Sequence, residues 1–66
     1  MLEKIKQAQR MWKNGFTHSE IKEVTGLSGG VEYAATLENI TAEQVFAVIP
    51  RIKEGMKFSE IKSLFN

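Results

Sequence analysis

Residues 13–24, Lys-Asn-Gly-Phe-Thr-His-Ser-Glu-Ile-Lys-Glu-Val, return forty positions later as Lys-Glu-Gly-Met-Lys-Phe-Ser-Glu-Ile-Lys-Ser-Leu. Extended without a gap, the match pairs residues 1–26 with 41–66 and leaves fourteen residues, 27–40, between the copies. Seven positions are identical: Glu3/Glu43, Lys13/Lys53, Gly15/Gly55 and the block Ser19-Glu20-Ile21-Lys22 over Ser59-Glu60-Ile61-Lys62. Apolar character also matches at Ile5/Val45, Trp12/Ile52, Phe16/Met56 and Val24/Leu64. A chain written this way folds as one helical hairpin used twice, so the repeat constrains architecture before any other feature does.

The periodicity within each copy is helical. Leu2, Ile5, Ala8 and Trp12 recur on one face, while Lys4, Lys6, Gln7, Arg10 and Lys13 fill the others. Gly15 ends this first helix, because the residue past a helix end often needs positive φ. Thr17 with Glu20 forms a capping box that opens a second helix from His18 to Thr25, with Ile21 and Val24 facing inward and Gly26 as its stop. Two helices joined so tightly share one apolar seam.

Ser28 is placed to cap a third helix, although Gly29 and Gly30 weaken its start by about 1 kcal/mol each relative to Ala. Val31, Ala34, Ala35 and Leu37 give it a narrow apolar face through about Asn39. Thr41 with Gln44 is a second capping box. It opens a fourth helix in which Val45, Phe46, Val48, Ile49 and Ile52 make the most apolar segment, expected at the centre of the core. Pro50 predicts a kink near residues 46–49. Gly55 ends this helix, and a fifth from Phe58 to Phe65 mirrors the second, with Lys57 replacing the capping threonine. The fold expected is all-α: a compact bundle of four to five short helices in one domain, with two repeated hairpins, 1–26 and 41–66, around a connecting segment.

Composition narrows function by exclusion. Sixty-six residues without cysteine give no disulfide framework, thiolate nucleophile or zinc cluster, and one histidine does not make a metal site. His18 is read as an exposed residue of the second helix. Gly29-Gly30 lacks the lysine and preceding strand of a phosphate loop. No enzyme, cofactor or small-molecule substrate is expected. No apolar run has the length to span a bilayer and the charged N-terminus lacks a signal-peptide core, so a cytoplasmic protein is the default.

Charge is unevenly spread beneath a net of only +1. Residues 1–22 carry net +3, residues 23–50 carry four Glu and no Lys or Arg, and residues 51–66 carry net +2. Against this pattern, the stretch Ser19-Glu-Ile-Lys-Glu-Val-Thr-Gly-Leu-Ser28 resembles the helix-turn-helix of small DNA-binding regulators, over about residues 15–37. The resemblance implies Gly26 at the positive-φ turn, Leu27 and Ile21 buried beside it, and the third helix as the element entering the DNA groove. Ser28, Tyr33 and Thr36 would reach a base or phosphate. Because residues 28–40 contain no Lys or Arg, the phosphate attraction that dominates affinity must come from Lys4, Lys6, Arg10, Lys13 and Lys22. Backbone N–H groups at Thr17, His18 and Ser19 offer a further phosphate site.

The function expected is thus a small non-enzymatic regulator of transcription, of the kind carried by phages and mobile elements. It would bind double-stranded DNA, with dimerisation as a means of enlarging the contact. A protein-interaction module, such as an inhibitor or adaptor acting on a host protein, is the alternative. Its interface would be the acidic central surface of Glu23, Glu32, Glu38 and Glu43 with Tyr33 beside it.

Overall fold

A computed structural model describes residues 1–65 and gives five helices in the order α1 (Leu2–Lys13), α2 (His18–Thr25), α3 (Gly29–Ala35), α4 (Ala42–Lys53) and α5 (Phe58–Leu64). Among the described residues there is no strand. The forty-residue offset carries α1 onto α4 residue for residue, and α2 onto α5 except at its end, where α5 stops at Leu64 with Phe65 as its C-cap and not within the helix as expected. The shared punctuation is physical. Gly15 and Gly55 take φ of 88° and 105°, where an L side chain is strained. Glu20 and Glu60 each accept the backbone N–H three residues earlier, from Thr17 and Lys57, at 2.9 Å. Thr17 completes its box by accepting from the Glu20 N–H. Lys57 has no side-chain acceptor, so α5 keeps only the carboxylate half.

The core comprises Ile5, Ala8, Ile21, Leu27, Val31, Ala34, Ala35, Ala42, Val45, Ile49, Ile52 and Ile61. Equivalent positions of the two copies contribute equally: Ile5 with Val45 and Ile21 with Ile61 are all fully buried. The centre, however, is α3 and not α4 as the apolar count predicts. α3 packs against all four other helices, so the two hairpins close on the connecting segment from both sides. Small residues make this possible. A Cβ on Gly30 would lie 2.6 Å from Ile52 Cγ2 and 3.5 Å from Ile61 Cδ1. The glycine that weakens α3 as an isolated helix is what admits the second hairpin.

Three residues expected in the core are exposed: Trp12, Val24 and Phe46. Position along the helix does not decide this, since Ile52, the repeat counterpart of Trp12, is buried; the neighbours that each helix meets do. Thr25 is buried in place of Val24, its hydroxyl donating to the Ile21 carbonyl at 2.7 Å and accepting from the Leu27 N–H at 3.3 Å. Helix α4 is continuous across Pro50, which is exposed, as is Phe46. The Phe46 carbonyl that proline deprives of a partner therefore belongs to a solvated turn. Helix α3 stops at Ala35, short of Asn39. Thr36 and Leu37 donate to the carbonyls of Tyr33 and Ala34 at 3.1 and 3.2 Å, a tightening that ends the helix, and Asn39 takes a left-handed φ of 59°.

Candidate functional site

Helix α1 sets Lys6, Arg10 and Lys13 at positions i, i+4 and i+7, which is one face. Across from them runs the loop between α3 and α4. Together they enclose a groove of about 630 Å³ lined by Lys6, Gln9, Arg10, Trp12 and Lys13 on one wall and residues 35–40 on the other. Gln9 Nε2 donates to the Ile40 carbonyl at 2.9 Å and so ties the loop to the helix. The Thr36 hydroxyl, which donates to the Tyr33 carbonyl at 2.7 Å, anchors its near end.

The electrostatics of this groove are simple. Among the described residues the one ionic contact is His18 with Glu32, so Lys6, Arg10 and Lys13 form no intramolecular ion pair. Lys6 and Arg10 are like charges one turn apart, an arrangement that costs a helix a few tenths of a kcal/mol. Glu38 is the single carboxylate lining the groove, and it leaves the three cations in excess.

Beside the groove lies a polar cluster that joins three helices. His18 Nδ1–H donates to Glu32 Oε2 at 2.8 Å, and the imidazole stacks on Trp12 with ring centroids 4.5 Å apart. Glu32 is 2% exposed. That corrects its placement on an acidic surface, whereas His18 is exposed as expected, its side chain 46% accessible while it pairs with Glu32. A buried carboxylate needs a hydrogen-bonded partner, and α2 delivers one because its first residue faces the first turns of α3. No third residue that would make this pair a metal site or a nucleophile triad accompanies it among the described residues.

The other candidate residues disperse. Lys4 lies on the opposite flank of α1, with its Nζ 3.9 Å from where a Cβ on Gly26 would stand, near the last carbonyls of α2. Lys22 and Ser19 are exposed on α2. The Thr17 hydroxyl is taken by Glu20, whose carboxylate already occupies the N-terminus of α2. A phosphate at the N–H groups of Thr17, His18 and Ser19 would meet that negative charge. Hydrogen bonds donated to the Glu20 carboxylate by the Thr17 backbone N–H first and by its hydroxyl second hold this carboxyl below the usual carboxylate range. Tyr33 turns toward the second hairpin and stacks on Phe58 at 4.7 Å. Ser28 caps α3 by position but makes no side-chain cap bond. Glu23 and Glu43 are exposed on separate helices.

The segment that resembles a helix-turn-helix has the expected turn, with Gly26 at φ 72° and Leu27 and Ile21 buried. Helix α3 itself offers no exposed residue from Gly29 through Ala35. It is the hub of the core, packed on by all four other helices, and only Gly29, Gly30 and Tyr33 keep partial exposure. Sequence reasoning found the three cations and Thr36 but missed Trp12, Gln9, Leu37, Asn39 and Ile40 as their companions. For Trp12 the repeat offered only a difference of side chain, indole against the Ile52 of the second copy; packing decides that Trp12 is 41% exposed and Ile52 7%. For the loop none existed, because its position depends on where α4 packs.

Comparison with known proteins adds no name to this geometry: no family model, curated protein or solved structure matches the chain. No helix among the described residues is long and apolar enough to cross a membrane.

Proposed function

We propose that this protein is a small non-enzymatic DNA-binding module, of the regulator kind, that holds the phosphate backbone through the α1 face of Lys6, Arg10 and Lys13. The observation that carries the reading is the convergence on one groove of three cations that have no ion-pair partner among the described residues. Helix α3 acts as the scaffold of this face and not as the reader of bases. A reading through the acidic central surface is weakened by the burial of Glu32, one of its four carboxylates.

Fluorescence anisotropy of labelled DNA at low salt tests the proposal. Three neutralised phosphates give a slope of log affinity on log salt of about −2 to −3. Charge reversal at Arg10 and Lys13 should abolish binding, while Lys4→Glu, on the other flank, should change it little. Glu38→Gln removes the one carboxylate in the groove and should tighten binding severalfold. Equal loss from Lys4→Glu and Arg10→Glu would mean that net charge alone matters and would sink the site. Binding of polyglutamate in preference to DNA would replace nucleic acid with an acidic protein partner.

A further inference from the structure

We infer that the groove between α1 and the α3–α4 loop takes an unpaired nucleotide of a single strand, with its phosphate on the cations and its base against the Trp12 indole. The inference rests on the DNA-binding reading above and sharpens its substrate. Trp12 lines the same groove as Lys6, Arg10 and Lys13, and it keeps 41% of its surface exposed. An exposed tryptophan among cations is the combination by which single-stranded nucleic acid is held, since stacking and backbone charge act together and need no particular base.

Two further observations separate this from an incidental surface aromatic. In the second copy of the hairpin the equivalent position is Ile52, a core residue, and the position equivalent to His18 is Phe58, which stacks on Tyr33. The packing needs of the repeat are thus met by an aliphatic and a phenyl ring. In the first copy both are replaced by rings that stack on each other at 4.5 Å, and the imidazole is fixed from behind by buried Glu32. The indole is held in place before a ligand arrives, which lowers the ordering cost of binding. The groove's volume of about 630 Å³ falls in the range of small-ligand sites, about 300–1,000 Å³. Leu37 and Ile40 give the wall opposite α1 apolar surface, Thr36 and Asn39 add polar atoms to that wall, and Gln9 adds one from α1. A base within a duplex has both faces stacked, so only an unpaired base meets an indole.

The chain's single tryptophan makes the test direct. Oligothymidylate of about eight nucleotides, within the span of a small single-strand site, is titrated against the intact protein alongside a fully paired DNA hairpin. Indole fluorescence and anisotropy of the labelled DNA are followed together. The expected result is quenching by the single strand, tighter binding of it than of the hairpin, and a loss of about five- to a hundredfold for single strand in Trp12→Ile. Trp12→Ile carries the residue of the second copy, and its loss should be larger for the single strand than for the hairpin. Quenching in the unaltered protein stands as evidence even if that variant folds poorly. Binding of both DNA forms with equal affinity and an unquenched indole overturns the inference and leaves the DNA-binding reading intact. Failure of both forms to bind overturns the two together.

Discussion

Gly30 shows how one residue decides between two opposing effects. Replacing it with Ala gains about 1 kcal/mol of helix propensity, but the new Cβ would stand 2.6 Å from Ile52 Cγ2, well inside contact distance. Overpacking of this kind costs about 1–3 kcal/mol, and the clash should win. Urea unfolding of Gly30→Ala should give a lower midpoint; a rise would mean that Ile52 gives way freely. The Glu20 carboxyl, held below its ordinary range by the Thr17 N–H and hydroxyl, is charged in the folded state at pH values where the unfolded chain has begun to protonate. Its contribution is therefore complete above the unfolded-state pKa and disappears as pH falls through the lower folded-state value. Thr17→Val should move the Glu20 titration, followed by side-chain NMR, back up toward the ordinary range.

At the scale of elements, the two hairpins differ where their capping differs. Helix α2 has both arms of its capping box, whereas α5 has the carboxylate arm alone. Lys57→Thr restores the missing hydroxyl acceptor for the Glu60 N–H. It should raise stability by about 0.5–1 kcal/mol, read as a shift in thermal midpoint, and should slow amide exchange in the first turn of α5. No change in either measurement would mean that the lysine start is already fixed by packing. Helix α3 illustrates the opposite dependence. Two glycines and seven residues make it too weak to persist alone, yet it is the element against which every other helix packs. A peptide of residues 27–40 should show no helical circular dichroism in water; a stable helix there would contradict a hub formed by its neighbours.

For the whole molecule, sixty-six residues place stability at about 3–10 kcal/mol, so a single core truncation removes much of it. Ile21→Ala and Ile61→Ala act at equivalent, fully buried positions and should each cost about 2–5 kcal/mol. Trp12→Ala should cost clearly less than either, because Trp12 is partly in solvent; denaturant melts of the three variants would rank them, and a Trp12 loss as large as the isoleucines' would place the indole in the core after all. The bounds of α1, α2, α4 and α5, their turns and the two threonine capping boxes were legible in the sequence because each depends on residues within about four positions of one another. Repetition of those local signals told the same story twice. Which helix would be central was not legible, because burial depends on small residues as well as apolar ones: Gly30 and the alanines let α3 be surrounded, and the more apolar α4 lies to one side. The tertiary structure alone decided that Glu32 is buried against His18, that Trp12 is turned outward, and that the distant α3–α4 loop closes over the α1 cations. Local hydrogen bonds and backbone sterics are written within a few residues of each other, whereas the site is made of side chains that meet only after five helices have competed for the same core.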